Sequence, residues 1–376
     1  LAVAVIDPAP ADAPVRDSRA SAIAAAARRM LAALGVWDEI APDAEAITEM
    51  TVTDSRLRDP VRPVFLTFAE EDPAEGPFAH MVPNATLVGT LARHAQAAGV
   101  ERIGGSVADF TERADGIDIR LADGGRLSAR LLVAADGARS RLRDLAGIGT
   151  VGWNYDQAGL VATVEHERPH AGRAEEHFLP AGPFAILPLR GRRASLVWTE
   201  RRDAAERLTA ADDFTLQFEL ERRFGHRLGA VRLVDRPRAF PLGLSIARRF
   251  VAPRLALCGD AAHAIHPIAG QGLNLGFKDA AALAESVIDA ARLGLDIGSA
   301  ETLARYERWR RFDTVQMAMV TDGLNRLFSN DNPALRAVRD FGLALVDRLP
   351  GLKRRFIESA SESSAAGPRL LRGEAI

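Results

Sequence analysis

Leu255-Ala256-Leu257-Cys258-Gly259-Asp260-Ala261-Ala262-His263, followed by Pro267, Gly270-Gln271-Gly272-Leu273-Asn274 and Asp279, is the stretch whose reading decides the rest. Its apolar opening holds no turn former and predicts a short buried strand over 254–258. Gly259-Asp260 then ends the strand where a carboxylate can reach a ligand hydroxyl. A loop rich in Pro and Gly follows, and a long helix is predicted from near Leu273. A Gly-rich loop feeding a helix start offers free backbone N–H groups and the positive end of a helix dipole. That environment suits an anion, or a ring that becomes anionic. The glycines on either side of Gln271 let a flat ligand approach the main chain closely. Taken alone, they fit a plain strand–turn–helix corner equally well.

Composition bounds the rest. The 376 residues have room for a large core and roughly two domains. A hydrophobic fraction of 47% and a charged fraction of 26% are ordinary for a globular chain. The net charge of −2, with no basic stripe interleaved with aromatics, gives no reason to expect a nucleic-acid partner. Cys258 is the single cysteine, which excludes internal disulfides and a Cys-based zinc site and fits a reducing compartment. No apolar run reaches about 18 residues, so no membrane span is expected.

Residues 1–7 read as a buried strand ending in an acid, Asp7. In a dinucleotide-binding βαβ unit such an acid lies about 20 residues after a Gly-x-Gly-x-x-Gly turn and bonds a ribose hydroxyl. That turn and an initiator Met are both missing ahead of Asp7, so the expectation is an N-terminally truncated chain. Asp17-Ser18-Arg19 is a capping signal for an Ala-rich helix predicted over 20–34. Alternation predicts strands over 49–57 and 64–70, paired as a hairpin on the substrate side. Residues 79–84 lead into a helix over 87–98, with Asn84 either its N-cap or a ligand contact. His80, next to the expected ring pocket, is either a structural histidine or the one candidate catalytic base.

Short strands are predicted over 100–103, 106–110 and 117–121, and a longer one over 126–135 runs into Asp136-Gly137-Ala138-Arg139-Ser140-Arg141-Leu142-Arg143. A carboxylate and an Arg-rich turn at the carboxyl end of a strand suit a pyrophosphate crevice. From 151 to about 247 the texture changes to alternating strands with one helix near 211–224, a sheet able to wall an apolar pocket. No Ser-His-Asp or metal-ligand spacing is present, and His263 and His266 lack further metal-type partners, so no metal is expected. Few candidate catalytic side chains fit a cofactor that carries the redox chemistry itself. Tyr306 and Trp309 lie on a long helix predicted to about 327. Residues 335–356 set Arg side chains beside a Leu/Val/Phe face, as a docking helix or an interfacial membrane helix would.

The run from Leu255 to Asp279 resembles the second FAD-binding motif of the group A flavoprotein monooxygenases, the aromatic-ring hydroxylases. Asp136-Gly137 with Ser140 and Arg143 resembles the same family's Asp-Gly motif. The segment from Asp17 to Trp37 and the C-terminal segment resemble its ubiquinone-biosynthesis branch. The resemblance implies cofactor contacts at Gly259, Asp260, Pro267, Gly270, Gln271, Gly272, Leu273 and Asn274, with Asp260 on the ribityl chain. It also implies contacts at Asp7, Asn84, Asp136, Gly137 and Arg143, and at Arg19, which alternatively is a solvated helix-start side chain.

The implied fold is α/β. Residues 1–57, 79–150 and 248–330 would form a Rossmann-like FAD-binding domain of the p-hydroxybenzoate hydroxylase type. Residues 58–78 and 151–247 would form an inserted β-rich substrate domain, 331–358 C-terminal amphipathic helices, and 359–376 a disordered tail. The implied reaction hydroxylates the ring of a polyprenylated phenol, with NAD(P)H or another reductant and with O2 as oxidant, one oxygen leaving as water. Expected partners are that lipid, a membrane surface touched peripherally by residues 335–356, and other proteins of ubiquinone biosynthesis. The expected place is the cytoplasm, peripheral on the inner membrane. Two alternatives stay open: a small soluble aromatic substrate, or a structural partner without FAD.

Overall fold

The computed structural model describes residues 1–10, 17–57, 62, 64–69, 76–330 and 367–376. The strand Leu255–Leu257 lies at its centre, with all three side chains fully buried. It runs parallel to Leu132–Ala134 and antiparallel to the short edge strand Val251–Ala252. The helices Gln271–Arg292 and Ala300–Phe328 follow it. Tyr306, on the second helix and fully buried, donates its hydroxyl to the Leu257 carbonyl at 2.6 Å. A buried tyrosine needs such a partner for its O–H, and this bond fixes the helix against the strand.

The single strand predicted over 126–135 is two. Arg126–Ala129 pairs antiparallel with Ile117–Leu121, whereas Leu132–Ala134 joins Leu255–Leu257 in another sheet. The intervening Arg130-Leu131 corner carries the chain from one sheet to the next. Ala4–Asp7 pairs in parallel with Glu101–Gly104.

The predicted helix over 20–34 is also two elements, a strand Ala20–Ala24 and a helix Ala25–Ala33. Alanine favours helix, but tertiary pairing overrides propensity here. Ala20–Ala24 is zipped antiparallel to Ala79–Pro83, which pairs in turn with Glu45–Ile47. Asp17 accordingly caps no helix: it accepts the backbone N–H of Arg19 at 3.0 Å ahead of the strand.

The β-rich middle of the chain forms one large sheet. Its order is His263–Ala264, Arg238–Ala247, Thr150–His166, Arg193–Arg201, Gly182–Leu189, Arg173–Leu179, Glu49–Asp54, Val64–Ala69, with Val231–Leu233 also paired to Thr150–His166. All neighbours are antiparallel except Glu49–Asp54 and Arg173–Leu179, which run in parallel. The predicted hairpin of Glu49–Asp54 with Val64–Ala69 is present. Because Glu49–Asp54 is a strand of this sheet, it joins the β-rich middle of the chain rather than the first segment drawn to residue 57.

Period-two alternation gives the sheet two different faces. Leu160, Phe184, Ile186, Leu196 and Trp198 are buried with Leu208, Leu216, Leu220 and Phe224 of two helices, Arg202–Ala210 and Asp213–Phe224. Each such side chain contributes about 2 kcal/mol when fully buried. One helix was expected there; Asp212 starts the second by accepting the Thr215 N–H at 2.8 Å. The other face carries Val52, Glu176, Phe178, Ala185, Leu187 and Val197 and is open to a cleft.

The chain end corrects a further expectation. Residues 367–376 are placed, with a turn of 3-10 helix at Arg369–Arg372. Leu370 and Leu371 are buried against Ala26, Met30 and Ala281. Arg369 ion-pairs with Glu285 at 3.2 Å and with Asp289 at 2.5 Å. Two adjacent leucines and a paired arginine outweigh the polar texture that suggested disorder. Residues 331–358, predicted as amphipathic helices, and 359–366, the first part of the expected tail, lie outside the described residues.

Candidate cofactor cleft and active site

A cleft of about 940 Å³ runs from the turn after Leu255–Leu257 to the open face of the large sheet. Most of the motif residues singled out above meet in its wall: Arg19, Asn84, Gly137, Gly259, Asp260, Pro267, Gly270, Gln271, Gly272, Leu273 and Asn274.

At the turn, Gly259 adopts φ +63°, a left-handed conformation that glycine tolerates, and turns the chain sharply. Asp260 follows, solvent-open towards the cleft, with no hydrogen bond to any described residue. Desolvation by the surrounding walls raises its pKa. Behind the turn Asp279 is completely buried and anchors three groups. Its Oδ2 accepts the Gly259 N–H at 2.9 Å and meets His263 Nε2 at 2.6 Å, while Oδ1 accepts Arg310 Nε at 2.7 Å. His263 is thus engaged with a carboxylate inside the protein. Burial, then the Asp279 charge, pushes the neighbouring Cys258 thiol up to about 12, so it stays protonated.

The helix begins at Gln271, two residues before the predicted start, and no side chain caps it. Gly270 supplies its left-handed N-cap at φ +65°. A Cβ built on Gly270 would lie 3.3 Å from Ala22 Cβ, whereas one on Gly272 meets no protein atom and would project into open space. The uncapped first-turn N–H groups and the bare Gly272 backbone therefore form a flat, positively polarised wall.

Asn274, 1% exposed, spends its amide on the neighbouring strand. Its Oδ1 accepts Ala24 N–H at 3.0 Å, and its Nδ2 donates to the carbonyls of Ala22 at 2.9 Å and Gly270 at 3.3 Å. It shapes the wall rather than offering it a free donor. Asp136 likewise turns back on its own loop, accepting Ser140 Oγ and the Leu142 N–H at 3.1 Å. Arg143 is buried and donates to the carbonyls of Ala138 at 3.2 Å and Ala261 at 3.0 Å. The two turns that meet the cleft are thereby locked to each other. Neither the Asp136 nor the Arg143 side chain lines the cleft.

Arg19 reaches the cleft rim beside Phe240, 5.2 Å from its ring centroid. Asp17 grips its guanidinium through Nε at 2.9 Å and Nη2 at 2.8 Å. That guanidinium, together with the Asn84 amide at 2.9 Å, holds the Asp17 carboxyl far below the usual carboxylate range. Asn84 also accepts Ser21 Oγ at 2.8 Å. It sits inside the first turn of the helix Asn84–Ala97, whose N-cap is Pro83, so it is not a cap.

Two further expected site residues stand elsewhere. Asp7 lies outside the cleft wall, accepting the Ala9 N–H at 2.8 Å beside Arg102. His80 does not line the cleft, although Ala79 before it does. Its ring packs edge-on to Trp37, with centroids 5.1 Å apart, and burial, then Arg28, lowers its pKa to about 4. Strand alternation turns it away, and no catalytic role follows for it.

Two cleft residues escaped the sequence reading. His266 is 0% exposed, and neither ring nitrogen has a hydrogen-bond partner among the described residues. Its ring meets Tyr155 edge-on at 5.3 Å, and burial lowers its pKa to about 4. Glu176 is 4% exposed on the open face of the large sheet. Its signal in the sequence was a lone acid at an apolar position, in the series Ala174, Glu176, Phe178.

An open backbone wall, an uncapped helix start and an unbonded carboxylate at a strand end fit the flavin, ribityl and phosphate parts of FAD. A family profile described as an FAD binding domain matches residues 3–320. The chain is 45% identical to a ubiquinone hydroxylase of Rhodospirillum rubrum, over 95% of this chain and 83% of the relative. It is 36% identical to the 3-demethoxyubiquinol 3-hydroxylase of Escherichia coli, over 92% of this chain and 87% of that one. The fold resembles p-nitrophenol 4-monooxygenase from Pseudomonas putida, with a TM-score of 0.76 and 20% identity, over 96% of this chain and 92% of that chain. The cleft, its glycine wall and these likenesses converge: the chain belongs to the FAD-binding flavoprotein monooxygenases, in the family of the ubiquinone-biosynthesis hydroxylases.

Proposed function

We propose that this protein hydroxylates the aromatic ring of a polyprenylated phenol in ubiquinone biosynthesis, with FAD, O2 and NAD(P)H. The observation that carries this reading is the continuity of the cleft. Beyond the glycine wall it passes directly onto Met50, Val52, Leu66, Phe68, Phe178 and Leu187, an apolar lining suited to a ring bearing a hydrocarbon tail. FAD, when bound, supplies the redox chemistry, by which one oxygen atom of O2 reaches the ring and the other leaves as water. The protein's own part is to bind, orient and exclude water. The uncapped start of Gln271–Arg292 favours negative charge on the ligand beside it. Asp260 is free to accept a hydrogen bond from a hydroxyl. The apolar sheet face keeps water from the reacting ring.

Among the described residues lining the cleft, Arg19 is the one cation, and Asp17 holds it. Tyr155 donates its hydroxyl to Asp322 at 2.9 Å. A small aromatic carboxylate would find no arginine–tyrosine grip there, which favours the lipid. No helix among the described residues is long and apolar enough to cross a membrane. Phe312, Val315 and Met319 form an exposed apolar face on Ala300–Phe328, the helix that lines the cleft through Leu324 and Phe328. We assign the lipid-surface contact to that face.

The test supplies FAD-loaded protein with ortho-geranylphenol, NAD(P)H and isotopically labelled O2. A product heavier by one labelled oxygen is expected. Product from the unprenylated phenol alone would move the assignment to a soluble substrate. Cells lacking the gene should accumulate one prenylated phenol short of a single oxygen.

A further inference from the structure

We propose that Glu176 is the catalytic residue that receives the substrate's ring hydroxyl, accepting its hydrogen bond on binding and its proton as oxygen is delivered. The inference rests on the hydroxylase reading above and names the group that would orient the ring.

The geometry isolates this carboxyl. Glu176 pairs across the sheet with Val52 on one side and Ala185 on the other. Both neighbours line the cleft, as do Ala174 and Phe178 two residues away on its own strand. Its strand neighbours Glu175 and His177 point to the opposite face, where Glu175 pairs with Arg227 and with His177 at 3.2 Å. No described residue bonds to the Glu176 side chain, yet the residue is 4% exposed. An unpaired buried carboxyl costs stability, and a wall of valine, alanine and leucine does not need one. A ligand that bonds it explains its presence.

The other titratable groups in the cleft wall are Arg19, Cys258, Asp260 and His266. The first three belong to the cofactor end, and none is bonded to Glu176. Burial alone pushes the Glu176 pKa up to about 7, near the value at which a general base works best at neutral pH. A ground-state phenol, with a pKa of about 10, keeps its proton beside such a group and shares a hydrogen bond. As the ring donates electrons to the incoming oxygen, its hydroxyl becomes far more acidic. The O–H bond then breaks, its electron pair stays on the ring oxygen, and the proton binds the Glu176 carboxylate.

The experiment compares binding of ortho-geranylphenol and its methyl ether to the FAD-loaded protein, followed by perturbation of the flavin absorption. The wild type should prefer the phenol by about tenfold, as one hydrogen bond to a charged or polar partner gives. Glu176→Met keeps the side-chain length and the apolar wall, and the preference should fall to about one. In Glu176→Gln, which keeps a hydrogen-bonding group and serves if the first variant does not fold, hydroxylation should slow by about 100-fold while NAD(P)H still reduces the flavin. An unchanged preference in Glu176→Met, or an unchanged hydroxylation rate in Glu176→Gln, overturns the role of Glu176 and leaves the hydroxylase reading standing. A wild type that binds neither compound overturns the hydroxylase reading and this inference with it.

Discussion

Asn274 and Ala24 are 250 residues apart in the chain and joined by a hydrogen bond of 3.0 Å from the Ala24 N–H to Asn274 Oδ1. The same amide bonds the carbonyl of Ala22, so one side chain replaces a missing strand partner on both ladder groups. Asn274→Leu leaves those buried groups unpaired and should cost about 3 kcal/mol in urea unfolding, with weakened FAD retention. A stability equal to wild type would show that the strand holds without the clamp.

Gly270 and Gly272 should respond oppositely to alanine. At Gly270 the left-handed φ and the nearby Ala22 methyl make Gly270→Ala destabilising by about 1–2 kcal/mol. At Gly272 the added methyl meets no protein atom, and a helical alanine is favoured over glycine by about 1 kcal/mol. Gly272→Ala should therefore melt no lower than wild type but bind FAD more weakly in flavin titrations. Unimpaired FAD affinity would remove that wall from the cofactor site.

Asp279 is buried with Arg310 and His263 as its partners. Asp279→Ala removes the 2.7 Å partner of the buried Arg310, leaving Asp313 at 2.8 Å as its remaining carboxylate, and leaves the Gly259 N–H and the His263 ring without their acceptor. A loss of about 3–5 kcal/mol is expected in urea unfolding. Arg310→Met with Asp279→Leu should recover much of it, because well-packed apolar replacements of a buried pair are often tolerated.

Two buried groups give opposite pH dependences. His266 is held neutral down to about 4, against 6.5 for a free imidazole. Between those values the unfolded chain binds the extra proton, so this stabilisation is complete above 6.5 and is lost as pH falls towards 4. Glu176 is held protonated up to about 7, against 4.5 for a free carboxyl. The unfolded chain loses that proton first, so stability declines as pH rises from 4.5 to 7. Urea midpoints should show Glu176→Gln gaining up to about 3 kcal/mol over wild type near pH 8 and nothing near pH 4. A gain independent of pH would mean that Glu176 is not buried as a neutral acid.

The strand, turn and helix around Asp260 were legible because apolar run, glycines and helix signal agree over adjacent residues. Ala20–Ala24 was not, since alanine-rich text says helix and the reason for strand lies in Ala79–Pro83 and Asn274. The histidines show the same limit. His80 and His266 both flank pocket residues in sequence, and only the direction of each ring separates a core histidine from a cleft one. Asp136 and Arg143 were read as cofactor contacts from the Asp-Gly motif they belong to; the structure uses both to lock turns, Asp136 through Ser140 and the Leu142 N–H, and the buried Arg143 through backbone carbonyls. The docking of Leu370 and Leu371 depends on Met30 and Ala281, which no local pattern couples to them.

His263–Ala264 is at once the continuation of the Asp260 turn and the edge strand of the large sheet, paired with Ser245 and Ile246. The Ala247 N–H adds a bond of 2.8 Å to Ala262. The cofactor turn and the substrate wall are thus stitched along one seam, and prying the two halves apart would tear the turn that holds the ligand. A change in the tilt of the sheet edge at Ser245 and Ile246 is therefore transmitted directly to the turn that carries Asp260.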